Sequence, residues 1–89
     1  MERTAGRHTV TLLTRAGCSM CARAAAQLEE LADELGFVLT STDVDVEAAT
    51  GNTAPRAEYG DRLPVVLLDD VEHSYWEVDE QQLRADLAR

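Results

Sequence analysis

Residues 16–21, with the sequence AGCSMC, decide the fold of this chain because they join a short apolar run to a segment with helical periodicity. They contain both cysteines of the 89-residue chain, Cys18 and Cys21, which are separated by two residues. Cysteines at this spacing are typical of redox centres and of metal sites. Any chemistry that the chain performs beyond binding is therefore expected to begin at this pair.

The segments on either side of the cysteines predict a strand and a helix. Residues 9–14, TVTLLT, mix β-branched and apolar side chains and predict a strand that ends in a tight loop. From Ser19 to Leu35, apolar residues recur at steps of three and four, which indicates an amphipathic helix that Gly36 stops. Residues 37–46 have strand composition, so this half predicts two neighbouring parallel strands joined by a helix.

The second half of the chain predicts a short helix followed by a hairpin. Residues 47–53 are loop-like, and Pro55 suits the first turn of a short helix that ends at Gly60. Two apolar stretches, residues 65–68 and 73–78, flank a short connection, which favours an antiparallel hairpin. The hairpin is expected to extend the sheet of the first half.

A terminal helix completes the predicted fold. Asp79 is expected to cap this helix while Gln82 reaches back from three residues on. Tyr75 and Trp76 precede it, and alternation along their strand predicts that one is in the core and the other exposed. The predicted fold class is α/β, a four-stranded mixed sheet of β-α-β and then β-β-α order, flanked by helices, in a single domain spanning residues 1–89.

The charge of the chain argues against two classes of partner. Eight Arg, no Lys and 17 acidic residues give a formal net charge of -9. A nucleic-acid backbone or an anionic membrane surface would repel such a chain, so neither is an expected partner. The charge is read mainly as a contribution to solubility.

The start of the chain predicts a cytoplasmic protein. Residues 1–8 are polar, and the apolar segment 10–13 is too short for the core of a signal peptide or for a membrane span. In a reducing compartment a disulfide is seldom a structural staple. This argument favours redox chemistry or metal binding as the role of the cysteine pair.

The position of the cysteines at a strand-to-helix junction predicts different roles for them. At the first residues of a helix, unpaired backbone N–H groups and the helix dipole favour the thiolate of Cys18, which would be the nucleophile. Cys21 follows about one turn later on the same side, so the two sulfurs can close a disulfide. Cys21 lies toward the helix interior and is expected to keep a higher pKa and to act as the resolving thiol.

A metal site is the alternative reading of the pair. A four-ligand zinc site needs two more ligands. His8 lies at the opposite end of the first strand, about 20 Å away at about 3.3 Å per residue, and His73 begins a different strand. One chain therefore lacks the ligands for a zinc site, and no metal is expected. The alternative that two chains share an iron-sulfur cluster, bound through Cys18 and added thiols, stays open.

Several segments resemble the thioredoxin-like fold, and the resemblance covers nearly the whole chain. The first strand, the Cys-x-x-Cys that opens a helix and residues 63–66, LPVV, carry it. Within that fold, residues 14–21, TRAGCSMC, resemble glutaredoxins. Residues 43–45, DVD, and 59–64, YGDRLP, are similar to small bacterial glutaredoxin-like proteins.

The resemblance implies a substrate site around the cysteines. It implies that Pro64 is cis and lies against the pair, and that the backbone of Leu63 offers strand-like hydrogen bonds to a bound thiol peptide. Arg15 matches a position where glutaredoxins often carry a basic residue near the thiolate. The chain departs from the family after residue 71, where the Gly-Gly-x-Asp stretch that holds glutathione is missing.

The resemblance implies a glutaredoxin-like thiol-disulfide oxidoreductase with a dithiol cycle at Cys18 and Cys21 and a place in electron transport. No cofactor is expected, with a low-molecular-weight thiol such as glutathione as a possible cosubstrate. The implied partners are protein or small-molecule disulfides and a small thiol or a reductase, met by a monomer. The alternative is a cluster-carrying or non-catalytic interaction module of the same fold.

Overall fold

The computed structural model describes residues 7–88 of the chain. Residues 1–6, on which part of the prediction of a cytoplasmic protein depends, and Arg89 lie outside the described residues. The elements in chain order are β1 Thr9–Thr14, α1 Ser19–Leu35, β2 Val38–Asp43, α2 Val44–Ala49, α3 Ala54–Tyr59, β3 Val65–Leu68, β4 Val71–Tyr75 and α4 Glu80–Leu87. Within residues 7–88, none of the helices has the length and apolar character needed to cross a bilayer.

The strands form one mixed sheet in the order β2-β1-β3-β4. β1 runs parallel to β2, and β3 runs antiparallel to both β1 and β4. The predicted four-stranded mixed sheet flanked by helices is therefore confirmed. Because Leu13 pairs with Val65 and Thr14 with Asp43, the ends of three strands meet where the chain turns toward Cys18.

Helices cover both faces of the sheet, since successive residues of a strand point to opposite faces. The larger cluster packs α1 and α4 on one face and consists of Val10, Leu12, Ala24, Leu28, Leu31, Phe37, Val66, Val78 and Leu83. The smaller cluster, on the other face, consists of Leu13, Val44 and Val65, with Tyr59, Leu63 and Leu67 packed against it. β1 contributes residues to both clusters, and the cysteine loop follows its C-terminal end.

Helix α1 has the bounds that the sequence predicts. Its apolar stripe is buried in the larger cluster, where Leu28 is completely inaccessible to solvent. Gly36 ends the helix in the left-handed conformation, with φ of 81°, and its N–H donates to the Ala32 carbonyl over 2.8 Å. A side chain at this φ would be strained, which explains the glycine. α1 is thereby fixed along the sheet with its first turn at the cysteines.

The strand predicted for residues 37–46 is too long, because residues 44–49 form helix α2. The Asp43 side chain accepts hydrogen bonds from the N–H groups of Asp45 at 2.9 Å and Val46 at 3.1 Å, which starts the helix. Val44 is completely buried in the smaller cluster. Capping and burial together override the strand-like composition.

The hairpin between β3 and β4 is present, but its turn is shorter than predicted. Asp69 and Asp70 form the turn with φ of 50° and 71°, the left-handed conformation that matches the twist of a hairpin. β4 therefore starts at Val71 and ends at Tyr75. Trp76 lies beyond it, so the prediction that Tyr75 or Trp76 is in the core is wrong, and their exposed fractions are 48% and 55%.

Helix α4 begins as predicted and is anchored by one apolar side chain. Asp79 accepts a hydrogen bond from the Gln82 N–H over 3.1 Å, which confirms its role as the cap. The Gln82 side chain donates to Asp86 instead of reaching back. Leu83 is completely buried in the larger cluster, and it holds α4 beside α1.

Candidate active site

Cys18 caps the N-terminus of α1. Gly17 turns the loop with φ of 78°, and Cys18 follows in an extended conformation, half-buried, immediately before the helix. Its Sγ accepts a hydrogen bond from the Cys21 N–H over 3.1 Å. A sulfur that occupies the cap position receives a backbone donor and lies at the positive end of the helix dipole. Reactive cysteines, which attack as thiolates, commonly occupy this position at the N-terminus of a helix.

Cys21 lies one turn later and is almost completely buried, with an exposed fraction of 2%. Burial raises the pKa of its thiol, and the neighbouring Cys18 sulfur raises it further. Hydrogen bonds with the Thr14 hydroxyl and with the backbone of Arg15 lower the pKa of Cys21 in part. Because Thr14 is the last residue of β1 and Arg15 follows it, the Cys21 sulfur lies next to the C-terminal end of the strand. The two free thiols thus have different environments, one accessible at the helix terminus and one held neutral in the interior.

Pro64 lies at the same end of the sheet as the cysteines. The pairing of Leu13 with Val65 places Pro64 opposite Thr14, the residue whose hydroxyl interacts with Cys21. The Leu63–Pro64 peptide is cis, as the resemblance implies, and Pro64 is buried. The Pro64 carbonyl accepts a hydrogen bond from the Trp76 N–H over 2.7 Å. Leu63 uses neither its N–H nor its carbonyl in a hydrogen bond within the described part of the chain.

Arg15 lies in the loop before Cys18 and is held by Asp45 on α2. Arg15 Nε donates to Asp45 Oδ2 and Nη2 to Oδ1, each over 3.0 Å, and Nη1 donates to the Gly60 carbonyl over 3.4 Å. Arg56 Nη1 lies 3.6 Å from the same carboxylate. Hydrogen bonds from Arg15 hold the pKa of Asp45 below its ordinary value, and those bonds, with a smaller contribution from the charge of Cys18, raise the pKa of Arg15.

A groove of about 360 Å³ opens between the first turns of α1 and the segment after β4. Met20, from between the cysteines, and Trp76 line it, with exposed fractions of 42% and 55%. Arg23 and Glu77 also line the groove, and neither has a charged partner among residues 7–88. Trp76 is not among the predicted site residues, because its position depends on a backbone with φ of 68°.

The histidines lie apart from the cysteines. His8 Nδ1 is 2.6 Å from Asp69, at the far end of β1, and His73 Nε2 is 2.9 Å from Asp86 on α4. His73 lines a second hollow, of about 710 Å³, and its buried Nδ1 has no hydrogen-bond partner among residues 7–88. Within residues 7–88, no three His, Cys, Asp or Glu side chains are grouped so as to hold a metal ion.

The fold and the cysteine pair define a thioredoxin-fold domain with a Cys-x-x-Cys motif at a helix N-terminus. Residues 9–88 match the family Glutaredoxin-like domain (DUF836), and the chain belongs to this family. The resemblance to glutaredoxin-like proteins is thereby confirmed.

Relatives and solved structures extend the comparison. The chain is 68% identical over 83 residues to the uncharacterized proteins Mb0520 of Mycobacterium bovis and Rv0508 of Mycobacterium tuberculosis, covering 93% of this chain and 86% of each relative. The solution structure of protein Ne2328 from Nitrosomonas europaea superposes with a TM-score of 0.76 at 25% identity, covering 97% of this chain and 98% of that one. The crystal structure of Fasciola hepatica thioredoxin gives a TM-score of 0.59 at 27% identity, covering 94% and 81%.

Proposed function

We propose that the protein is a thiol-disulfide oxidoreductase that reduces disulfides through a dithiol cycle at Cys18 and Cys21. One observation carries the proposal: an accessible sulfur caps α1, and a buried thiol lies one helical turn behind it. This asymmetry supplies a nucleophile that meets the substrate and a second thiol that stays protected until a mixed disulfide forms. Membership of a glutaredoxin-like family supports the same reaction class.

The first step forms a mixed disulfide. The Cys18 thiolate attacks one sulfur of the substrate disulfide, so that a Cys18–substrate S–S bond forms while the substrate S–S bond breaks. The second substrate sulfur leaves as a thiolate and takes a proton from solvent. The Cys21 N–H donates to the Cys18 sulfur before the attack and releases it as the new bond forms.

The second step releases the substrate. Cys21 loses its proton to solvent, and its thiolate attacks Cys18 Sγ, so that the Cys18–Cys21 bond forms and the mixed disulfide breaks. The remaining substrate sulfur leaves as a thiolate and is protonated. Cys18 releases its own proton to solvent when its thiolate forms, so over the whole cycle the substrate gains two electrons and two protons and the cysteine pair loses the same. A small thiol or a dithiol reductase then returns the pair to its reduced form.

The surroundings of the pair suggest how a substrate is held. We expect the free backbone N–H and carbonyl of Leu63, beside Pro64, to pair with an extended thiol peptide. Arg15 adds positive charge near Cys18. The proposed setting is the reducing cytoplasm, with protein or small-molecule disulfides as substrates and no resident cofactor.

A trapping experiment tests the proposal. In the Cys21→Ser variant the second step is blocked, so an asymmetric peptide disulfide should leave an adduct of one peptide half on Cys18, detected by mass spectrometry. The matched Cys18→Ser variant keeps the buried thiol and should form no adduct. Absence of an adduct in Cys21→Ser contradicts the proposal. Visible colour with stoichiometric iron after anaerobic purification would instead support a cluster-carrying module.

A further inference from the structure

All three nitrogens of the Arg15 guanidinium donate hydrogen bonds to groups other than Cys18. Two of its nitrogens donate to the Asp45 carboxylate at 3.0 Å each, and the third donates to the Gly60 carbonyl. The Cys18 sulfur accepts its hydrogen bond from the Cys21 N–H instead. Arg15 lies three positions before Cys18 in the same loop and makes no hydrogen bond to it within the described residues, so its charge is what it can contribute at that sulfur.

Asp45 controls how much of that charge reaches the sulfur. A bidentate arginine–carboxylate pair is close to neutral when seen from a few ångströms away. The carboxylate is shared with Arg56 at 3.6 Å, and the negative charge of Asp43 also acts on Arg15, so two arginines and two carboxylates influence this part of the cysteine loop. The side chains of Arg15 and Asp45 are 38% and 44% exposed, so solvent weakens the charges without removing them.

We propose that Asp45 is a positioning residue that lowers the reactivity of Cys18 by holding Arg15 and offsetting its charge. The inference rests on the proposed function, because it concerns the thiol that attacks the substrate. Its geometric basis is the pair of 3.0 Å hydrogen bonds between a loop residue and a helix residue 30 positions away. Through these hydrogen bonds, the reduction potential of the cysteine pair stays more negative than it would be if Arg15 had no carboxylate partner.

The test removes the charge of Asp45 and keeps its shape. In the Cys21→Ser background, where Cys18 is the single thiol, Asp45→Asn should move the pH midpoint of the ultraviolet thiolate absorbance downward. At a pH where Cys18 is partly ionised, alkylation should be about two- to threefold faster, as expected for one unit charge acting over several ångströms of a water-like medium. With Cys21 restored, the reduction potential of the pair should become more positive.

Three further variants separate this role from a structural one. Asp45→Glu keeps the charge and should restore the wild-type midpoint. Arg15→Gln combined with Asp45→Asn removes both charges, and its midpoint should lie close to that of the wild type. Glu34→Gln breaks a bidentate pair of the same kind with Arg84, about 24 Å along α1 from Cys18, and should leave the midpoint unchanged.

The ionisation measurement needs no substrate, so its result is independent of the trapping experiment. A midpoint in Asp45→Asn that is unchanged or higher overturns the proposed role of Asp45 even when Cys18 forms an adduct. A lowered midpoint without any adduct overturns the oxidoreductase and leaves the electrostatic assignment standing. An equal shift in Glu34→Gln also overturns the assignment, because it would show that the effect is not local to the Arg15–Asp45 pair.

Discussion

Trp76 shows how a single residue is placed against its own preference. Its φ of 68° is a left-handed conformation that costs a side-chain-bearing residue about 1 kcal/mol. Two carbonyls hold it there, because the Trp76 N–H donates to Pro64 over 2.7 Å and to Arg62 over 3.3 Å. The indole, packed edge-on against Tyr75, is left exposed beside the groove that Met20 lines. Strain of this kind is often retained where a side chain serves a site.

The strain at Trp76 predicts an inverted order of stability for two substitutions. Trp76→Gly should be more stable than Trp76→Ala by about 1 kcal/mol, because only glycine adopts a positive φ without strain. Urea unfolding of the two variants measures the difference. At Glu77, whose φ is not positive, the order should reverse and alanine should be the more stable. Alanine ahead of glycine at both positions would show that Trp76 is unstrained.

Helix α4 has a single fully buried side chain. Leu83 is its fully buried residue, and its remaining ties to α1 run through exposed or half-exposed groups. Arg84 pairs with Glu34 at 2.7 and 2.9 Å, and Glu80 accepts from Gln27 over 3.1 Å. Pairs of this exposure contribute little to stability, even though the hydrogen bonds that Arg84 donates to Glu34 raise the pKa of Arg84.

Leu83→Ala should therefore cost about 2 to 5 kcal/mol of unfolding free energy, the usual range for a buried leucine. Arg84→Gln, one residue along the same helix, should have a far smaller effect. Urea unfolding gives both values, and hydrogen exchange of the α4 amides should be accelerated most in Leu83→Ala. Equal losses in the two variants would mean that ion pairs, and not the apolar contact, hold the helix.

The elements also show what the sequence was able to predict. α1 was found with its observed bounds because its apolar stripe, its cysteine start and its Gly36 end are all local signals. α2 was missed because residues 44–46 alternate like a strand, and what makes them helical is the Asp43 cap and the burial of Val44 against distant strands. Tertiary contacts decide such short segments.

The candidate site likewise contains residues that the sequence predicts and residues that only the structure identifies. Cys18, Cys21 and Pro64 are visible in the sequence, because spacing and resemblance identify them. Asp45 is separated from Arg15 by 30 positions, and no spacing rule connects a loop to a helix at that distance. Trp76 depends on the exact turn of the preceding hairpin, whose short Asp69–Asp70 connection was predicted as longer. Residues brought together by long-range packing therefore had to come from the structure.

For the whole molecule, acid is expected to be destabilising through specific carboxylates. Asp69 accepts the Thr9 N–H over 2.9 Å and lies 2.6 Å from His8, and these contacts, the backbone one first, hold its pKa below the ordinary value. A lowered folded-state pKa contributes stability that is present above the unfolded-state value near about 4. That contribution is lost as the pH falls through the folded-state value.

Asp69→Asn should flatten the fall of stability between about pH 5 and pH 2, because the group no longer titrates. Asparagine tolerates the left-handed conformation of the turn, so the hairpin is retained. At neutral pH the variant should be less stable than the wild type, with urea midpoints measured across the range. Asp70→Asn, in the same turn but without a hydrogen-bond partner among residues 7–88, should keep the wild-type slope. Matching slopes in all three proteins would contradict this assignment.

The hydrogen bond from the Thr9 N–H to Asp69 lies at one end of β1. The cysteine loop leaves the other end, about 17 Å away at about 3.3 Å per residue. The contacts of Asp69 with Thr9 and the loop that carries Cys18 therefore lie at opposite ends of this strand. We therefore expect that the residues around the cysteine loop can be substituted, and that such substitutions can accumulate, while the hydrogen bond between Thr9 and Asp69 is kept.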